Sequence, residues 1–295
     1  MAKLATMLKK IKIALVTILP HHWLSRIMYR LTRSERTPFL RPIMRWYAKK
    51  FQVNLDEAEN TRLDSYPTMN QFFTRALKPE AREFDNDPNH LACPVDGAVS
   101  AYGSIHHQRI FQAKKHDYSL QTLLGGLNHV YKSFENGAFI TLYLSPKDYH
   151  RIHMPYGGTL KEMIHVPGRL FSVAPDYVEN VPGLFARNER VISVFETDIG
   201  PLAVILVGAI FVSSMETVWH GVVTPPNGKR VVSIDYSLSK NPVVLNKGDE
   251  MGRFNMGSTV ILLLGNKTVE WADDLHPHQS VPMGRTLASI ICQDA

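Results

Sequence analysis

The amino-acid sequence predicts an α+β protein in which N-terminal helices lead into a β-rich body. Apolar residues recur at helical spacing through the first 50 residues. From about residue 91, short runs of β-forming residues alternate with Gly, Pro and Asn. The chain has 295 residues, 44% hydrophobic and 20% charged, which is enough for a substantial core.

Basic residues are concentrated at the N-terminus. The first 50 residues hold 12 of the 33 Lys and Arg but only one of the 27 acids, Glu35, which gives them a charge of +11. The remaining 21 bases and 26 acids give −5, so the basic surplus of the +6 chain lies entirely in this segment. Such asymmetry indicates a polyanionic partner, either a membrane surface or nucleic acid.

The apolar residues of the same segment favour the membrane. The run 11–19 is shorter than the roughly 20 residues that span a bilayer, and no small-residue cleavage site follows it, as a signal peptide requires. A basic amphipathic helix that lies among anionic head groups fits better. A helical hairpin packed on its own domain is the alternative. The apolar face comprises Leu4, Met7, Leu8, Ile11, Leu15 and Leu19.

The remaining elements follow from periodicity and turn residues. A helix is expected near 66–76, and a short one after Ser119 that ends at Gly125-Gly126. The predicted strands are 97–102, 138–144, 159–166, 190–197, 201–212, 218–223 and 258–264. Neither an internal repeat nor a long linker divides the chain. The expected organisation is therefore a basic helical region, 1–60, that associates with a membrane, followed by one β-rich catalytic domain, 61–295.

The two cysteines, Cys93 and Cys292, match neither a metal-binding spacing nor a disulfide framework. A reducing compartment is the simpler interpretation, although a single bridge between them stays open.

A small, reactive segment, Gly257-Ser258-Thr259, stands directly before the apolar run 260–264. Gly257 has no side chain to shield its carbonyl group and tolerates a strained backbone, so the Ser258 hydroxyl is suited to attack that carbonyl. The segment is not the Gly-x-Ser-x-Gly elbow of serine hydrolases, because position 260 is Val. A tight turn before a buried strand is the structural alternative.

Two histidines, His150 and His153, follow the predicted strand 138–144. Histidine is the side chain best suited to proton transfer near neutral pH, which makes both candidate acid–base residues. A zinc pair, which would need further ligands, and two structural histidines are the alternatives. Asp96, in Pro94-Val95-Asp96-Gly97, is a candidate carboxylate that orients a histidine, as in a Ser-His-Asp arrangement; its alternative is an Asp-Gly turn.

Together, and in this order, these clusters resemble the bacterial phosphatidylserine decarboxylases over almost the whole chain. The resemblance rests on short motifs at 94–97, 143–155, 166–168, 170–173, 184–190, 207–209, 216–218, 252–254 and 257–259. The family usually has Leu-Gly-Ser-Thr at its cleavage site. Here Met256 replaces Leu, a change between apolar residues of similar size that leaves the Gly-Ser bond in place.

The resemblance implies a proenzyme that cleaves itself between Gly257 and Ser258. The Ser258 hydroxyl attacks the Gly257 carbonyl, with His153 as the base and Asp96 as its orienting partner. Elimination and hydrolysis then release ammonia and leave a pyruvoyl group at position 258. The products are a large chain, 1–257, and a small chain, 258–295.

The resemblance also implies the reaction of the processed enzyme. The amine of phosphatidylserine forms a Schiff base with the covalent pyruvoyl group, carbon dioxide leaves, and phosphatidylethanolamine is released. His150 is implied to contact the substrate and transfer a proton, and Ser172 to contact the head group. Neither a metal, nor pyridoxal phosphate, nor nucleic acid is implied.

An anionic phospholipid as substrate also accounts for the basic N-terminus, since the enzyme must then sit at a bilayer surface. With few cysteines and no signal peptide, the expected location is peripheral, on the cytoplasmic side of the inner membrane. The resemblance implies a homodimer as well.

Three other functions share some of these features. A pyruvoyl decarboxylase of a soluble amino acid would have no use for the basic N-terminus. A zinc hydrolase would combine His150 and His153 with His276 or His278 and would lose activity on chelation. A peripheral lipid-binding protein, in which Ser258 is merely structural, would stay in one piece.

Overall fold

The computed structural model describes residues 13, 16–35, 37–113, 116–212, 214–225, 228–265 and 268–291. Most of the predicted N-terminal apolar face, from Leu4 to Leu15, lies outside these residues, as does Cys292. The fold is α+β, with mostly sheet and a few helices near the N-terminus, as predicted.

In the described part of the chain from residue 21 onward, three helices precede the strands. They are α1 (His21–Thr32), α2 (Thr37–Phe51) and α3 (Met69–Phe73). The last is shorter than the predicted helix at 66–76. It begins after Thr68, whose side-chain oxygen accepts a hydrogen bond from Gln71 N (3.1 Å), and it ends at Thr74. Among the described helices, none is both long and apolar enough to cross a bilayer.

Four single-turn helices lie between the later strands: α4 (Leu120–Leu123), α5 (Asn128–Tyr131), α6 (Pro175–Val178) and α7 (Leu184–Arg187). Short 3₁₀ turns occupy Leu63–Ser65, Pro79–Ala81 and Lys132–Phe134. The helix predicted after Ser119 is confirmed as α4. The Ser119 side chain caps it by accepting a hydrogen bond from Thr122 N (3.3 Å).

The strands, in chain order, are β1 (His90–Ala92), β2 (Gly97–Ser104), β3 (Arg109–Ala113), β4 (His116–Ser119), β5 (Ala138–Leu144), β6 (Arg151–His153), β7 (Gly158–Val166), β8 (Arg190–Thr197), β9 (Gly200–Val207), β10 (Ser214–Thr217), β11 (Gly221–Thr224), β12 (Val232–Asp235), β13 (Val244–Leu245), β14 (Glu250–Asn255), β15 (Ser258–Leu264), β16 (Thr268–Trp271), β17 (Ser280–Val281) and β18 (Thr286–Ile291).

The main sheet is antiparallel, and its described strands follow the order β12-β7-β8-β9-β15-β5-β2-β17, with β13 also paired to β7. Strand β15 lies near the centre, between β9 and β5. Its residues Val260–Leu264 are at most 2% exposed. A strand covered on both faces needs an uninterrupted apolar run, and this is the run that the sequence displays.

A second sheet has the strand order β11-β10-β14-β6, and its strand β14 directly precedes β15 of the main sheet in the chain. Strand β14 ends at Asn255, and β15 begins at Ser258, so two residues, Met256 and Gly257, connect the sheets. The predicted cleavage position therefore lies at the junction of the two sheets.

The last residues of the chain are distributed over two sheets. Strand β17 pairs with β2 in the main sheet, whereas β16 and β18 form a third sheet with β1. A further hairpin joins β3 and β4. The segment after position 257 thus contributes β15 and β17 to the main sheet, which earlier parts of the chain otherwise form, and two of the three strands of the third sheet.

Two of the predicted strands differ from the observed ones by more than two residues at one end. The run 201–212 stops being a strand at Val207, after which Gly208 N donates to Glu189 O (2.8 Å). The run 218–223 begins in the turn that follows β10, and only residues 221–223 of it lie in a strand, β11, which starts at Gly221 with φ of +73°. In both places the apolar pattern continues through a turn, so periodicity alone misplaced the ends.

Burial of β15 gives a stability prediction. Leu262→Ala should lower the free energy of unfolding by about 2–5 kcal/mol, because Leu262 is 0% exposed and the smaller side chain leaves a cavity. Urea unfolding of a Ser258→Ala chain, which stays in one piece, would measure this. Leu238→Ala is the matched control, because Leu238 is 89% exposed. Equal losses in both variants would contradict the central position of β15.

Candidate active site

The backbone on either side of the Gly257–Ser258 bond has an unusual conformation. Met256 has φ of +90° and Gly257 has φ of +73°, so two successive residues lie in the left-handed region. For a residue with a side chain, such as Met256, this conformation costs about 1–2 kcal/mol. Ser258 then enters β15 opposite Leu144. The bond that the sequence singles out is therefore preceded by stored backbone strain and followed by a fixed strand.

The surroundings of Gly257 are open. A Cβ atom placed on Gly257 would meet no atom within 4 Å, so glycine is required there by its φ angle and not by crowding. An approach to the Gly257 carbonyl carbon requires such free space.

His150 is completely buried beside the strand that leads to this bond. Its carbonyl oxygen accepts a hydrogen bond from Phe254 N of β14 (3.0 Å), and its ring lies 4.0 Å from the Phe73 ring, between centroids. The ring Nδ1–H donates to Asp148 O (2.7 Å), which leaves Nε2 as the acceptor. Nε2 has no hydrogen-bond partner among the described residues.

Burial determines the charge of His150. Desolvation lowers its pKa from 6.5 to about 3, so the ring is neutral at physiological pH. A neutral imidazole with an unshared Nε2 lone pair is a base.

His153 has the same tautomer but a different partner at Nε2. Its Nδ1–H donates to Gly248 O (2.8 Å), and Nε2 accepts a hydrogen bond from the Tyr149 hydroxyl (3.0 Å). Burial lowers the pKa of His153 and raises the pKa of Tyr149 to about 12, so the ring is neutral and the phenol keeps its proton. The lone pair that a general base uses is thus occupied in the uncleaved chain.

Asp96 binds an arginine instead of a histidine. Its carboxylate accepts hydrogen bonds from Arg82 Nε (2.8 Å) and Nη2 (2.5 Å), and from Met283 N (2.8 Å). Among the described contacts of the uncleaved chain, Asp96 and His153 share no hydrogen bond, and the orienting role of Asp96 stays a prediction. A guanidinium offers two charge-assisted bonds to a carboxylate, and a neutral imidazole offers one weaker bond.

The backbone nevertheless brings Asp96 and His153 close together. His153 N donates to Pro94 O (2.9 Å), two residues before Asp96. Glu57 also accepts from Arg82 Nη2 (2.8 Å), so Arg82 is shared between two carboxylates and is not committed to Asp96 alone.

Ser172 lies half-buried in the loop between β7 and α6, and its hydroxyl accepts a local hydrogen bond from Ala174 N (3.4 Å). Helix α1 packs on this loop: His22 Nε2 donates to Gly168 O (2.8 Å), and the His21 ring meets the Phe171 ring edge-on, 5.8 Å between centroids. The N-terminal helix therefore contributes to the position of the Ser172 loop.

Two cavities adjoin these residues. The first, about 560 Å³, is mostly apolar and is lined by Val173, the neighbour of Ser172, and by Tyr143, which pairs with Thr259 of β15. The second, about 270 Å³, is polar, with Asp96, Asp148 and Tyr149 among its lining residues. The apolar cavity is thus lined by the neighbour of Ser172 and by the strand partner of the neighbour of Ser258. Asp96 lines the polar cavity instead.

The remaining candidate residues do not assemble. Among the described residues, no group of three or more His, Cys, Asp or Glu side chains is arranged to hold a metal ion. His276 Nδ1 donates a hydrogen bond to Pro277 O (3.2 Å), and His278 lines the apolar cavity. Burial raises the pKa of Cys93 to about 12, so its thiol is protonated.

Two contacts of this site escaped the sequence analysis. Tyr149 directly precedes His150, so its proximity was visible in the sequence, but its hydrogen bond to His153 Nε2 depends on how the chain turns from the loop into β6. Arg82 gave no signal in the sequence, because an arginine 14 positions from Asp96 carries no local pattern.

The chain is similar to known proteins over most of its length. The family model described as phosphatidylserine decarboxylase matches residues 69–289, and a second, described as PSD, matches residues 11–52. A Shewanella loihica protein named phosphatidylserine decarboxylase proenzyme is 50% identical over 95% of this chain and 99% of its own length.

Two further relatives have the same name. The Shewanella frigidimarina protein is 49% identical over 95% of this chain and 98% of its own, and a Pseudomonas putida protein is 52% identical over 92% and 95%. A family match over most of the chain, together with relatives of this identity and coverage, leads to one conclusion: the chain belongs to the phosphatidylserine decarboxylase family.

Proposed function

We propose that this protein decarboxylates phosphatidylserine to phosphatidylethanolamine, using a pyruvoyl group that it makes by cleaving itself between Gly257 and Ser258. The observation that carries the proposal is the strained left-handed pair Met256-Gly257, placed directly before Ser258 at the start of a buried central strand. Family membership and two buried neutral histidines nearby support it.

Self-cleavage begins with an exchange of bonds at Gly257. The Ser258 hydroxyl oxygen bonds to the Gly257 carbonyl carbon, the C–N bond breaks, and the hydroxyl proton passes through a base to the freed amine. Loss of the α-proton of residue 258 then breaks the ester, which leaves Gly257 with a carboxylate and residue 258 as dehydroalanine. Water hydrolyses the imine tautomer and releases ammonia.

His153 is the base that we propose for this step. Its tautomer directs a lone pair from Nε2, but the Tyr149 hydroxyl holds that lone pair in the uncleaved chain. The proton transfer therefore requires the Tyr149 hydroxyl to turn away. When His153 gains a proton, a carboxylate becomes a far better partner for it, and Asp96 can then share its charge between Arg82 and the imidazolium.

A carbonyl group at position 258 supplies an electron sink for the loss of carbon dioxide. The site fits it: Ser258 is the first residue of its strand, and the space at Gly257 is open. We propose that His150, whose Nε2 is unshared, contacts the substrate and moves a proton there. Ser172 would hold the head group, beside the apolar cavity of about 560 Å³.

The described helices support placement at a membrane surface. Large apolar side chains on the outer faces of α1 and α2 are exposed, among them Trp23 (60%), Phe39 (79%) and Trp46 (60%). Their neighbours are basic, which suits an anionic head-group layer. The inner face of α1 packs on the body, as the helical-hairpin alternative expects. The exposed outer face is the one that we propose contacts the membrane. We propose peripheral attachment at the cytoplasmic side of the inner membrane, and a homodimer.

The first prediction concerns the nucleophile. Intact mass of the wild-type protein under denaturing conditions should show chains 1–257 and 258–295, the smaller lighter by one ammonia than a chain that starts with serine. Ser258→Ala should give one species and no decarboxylation of phosphatidylserine, because the attacking oxygen is gone. Ser237→Ala, a loop serine, is the control. A cleaved or active Ser258→Ala protein would overturn the assignment.

The second prediction separates the two histidines. His153→Ala should block cleavage, whereas His150→Ala should still cleave and should lose turnover by about 100-fold or more, the usual contribution of a general acid–base group. Tyr149→Phe should cleave at least as fast as wild type, because it frees His153 Nε2. Time courses of fragment formation, and turnover per pyruvoyl group, would measure these effects. Normal turnover in His150→Ala would remove its proposed role.

The third prediction uses pH. The folded pKa of His150 is about 3, below its ordinary 6.5, so between these values the unfolded chain binds a proton that the folded chain does not. The stability from neutral His150 is therefore present above pH 6.5 and is lost as pH falls toward 3. In the uncleaved Ser258→Ala chain, His150→Gln should reduce the slope of unfolding free energy by up to about 1.4 kcal/mol per pH unit near pH 5.

Exposed His276 supplies the control for this measurement, since His276→Gln should leave the slope unchanged. An unchanged slope in His150→Gln as well would mean that His150 is not buried and neutral.

Substrate and cofactor class are tested on the processed enzyme. Carbon dioxide release from phosphatidylserine, with none from free serine and no loss after chelation, would separate the proposal from a soluble amino-acid decarboxylase and from a zinc hydrolase.

A further inference from the structure

The residues before Ser258 are tied to the N-terminal helical region at two points. The first is Met256, whose side chain packs against a buried group of α2, α3 and the segment between them, here called the aromatic–methionine cluster. Its members are Met44, Tyr47, Tyr66, Met69, Phe72 and Phe73. The residue with the strained φ of +90° is thus anchored by its side chain.

The second point is Asn255, which is completely buried. Its Nδ2 donates to the Ser214 hydroxyl oxygen of β10 (2.6 Å). The same oxygen accepts a hydrogen bond from Nη2 of Arg33 (2.8 Å), at the C-terminal end of α1. Ser214 therefore links helix α1 to the residue three positions before Ser258.

The cleavage chemistry depends on these anchors because the connector is short and strained. After it, Ser258 is fixed by β15, whose partners lie on both sides. At Gly257, a Cβ atom would meet nothing within 4 Å, so no neighbour presses on that side. Without a hold on Met256 and Asn255, the backbone would relax toward φ below zero and the Gly257 carbonyl would turn.

We propose that Met256 and the Arg33–Ser214–Asn255 link are positioning elements of self-cleavage, so that the N-terminal helices form part of the processing apparatus. The inference rests on the self-cleavage proposed above. Met256 holds the Gly257 carbonyl group in the orientation that the acyl shift requires, and Ser214 fixes the strand end from which Met256 departs. None of these side chains exchanges a proton or forms a bond in the reaction.

The test is the rate of self-cleavage of newly made protein. Chains are produced by cell-free synthesis without lipid, synthesis is stopped, and fragment formation is followed by denaturing gel and intact mass. Met256→Ala should cleave about tenfold or more slowly than wild type, because a smaller side chain leaves the cluster unfilled and releases the backbone. Met256→Leu, which restores an apolar side chain of similar size, should cleave within about twofold of wild type.

A second pair of variants tests the Arg33–Ser214–Asn255 link without changing Met256 or its packing. Arg33→Ala should slow cleavage by between about twofold and tenfold, the effect of losing one hydrogen bond. Arg62→Ala makes the same change of charge at an exposed loop position and should cleave normally. Adding Arg33→Ala to Ser214→Ala should give no further slowing, since both remove the same link.

Hydroxylamine and thermal unfolding distinguish positioning from a general defect. Hydroxylamine cuts esters, so slow variants that accumulate no ester should release no additional fragment, as expected if the Gly257 carbonyl is misplaced before the acyl shift. Their melting temperatures should stay close to that of Ser258→Ala. Ester accumulation in Met256→Ala would place its effect after the shift and overturn the inference.

The failure of this inference is separable from that of the proposed function. If wild type is cut at Gly257–Ser258 while Met256→Ala and Arg33→Ala are cut at the same rate, only the positioning role is wrong. If wild type is not cut, or Ser258→Ala is cut, the self-cleavage itself is wrong. If Met256→Leu is as slow as Met256→Ala, an apolar anchor is not what the position requires, and the inference is also wrong.

Discussion

The pairing of β15 between β9 and β5 is the constraint on which the rest of the site depends. It fixes Ser258 as the first residue of a buried strand, in register with Leu144. The chain must also arrive from β14, in another sheet, through Met256 and Gly257 alone. A connection of two residues between two fixed strands leaves few backbone conformations, and the one adopted is left-handed at both residues. The sheet geometry thus leaves this connector few conformations, and the side chains of Met256 and Asn255 make further contacts on either side of the left-handed one.

Desolvation gives the neighbouring histidines their properties. Aromatic side chains such as Phe73 exclude water from His150, and burial lowers the pKa values of both His150 and His153. Each ring is oriented by a backbone carbonyl at Nδ1, so each presents Nε2 as an acceptor. The difference lies at Nε2, which is unshared in His150 and bonded to Tyr149 in His153. His150 and His153 therefore differ in whether Nε2 is available to accept a proton in the uncleaved chain.

Much of this arrangement can be predicted from the sequence. The parts that cannot be predicted depend on contacts between residues that are distant in the chain or on rare backbone conformations. The strands 138–144, 190–197 and 258–264 match their predicted bounds because each is an apolar run ended by turn residues. The hydrogen bonds from Arg82 to Asp96 could not be predicted, because they depend on which residues the fold brings together and not on a local pattern. The left-handed φ of Met256 could not be predicted either, because methionine rarely adopts this conformation and no local sequence pattern indicates it.

The two faces of the N-terminal helices have different surroundings, since one is exposed and the other packs on the body. Their outer faces expose Trp23, Phe39 and Trp46, which water disfavours and which a lipid surface would cover. Their inner faces reach the body, where the Tyr47 hydroxyl donates to Pro146 O (3.0 Å) and the cluster holds Met256. Pro146 lies in the loop that leads to His150, so the same helices support both sides of the cleavage position. A body without these helices would lose the contacts of Met256 with the cluster, so the proposed membrane attachment and the proposed positioning of the connector both depend on the N-terminal helices.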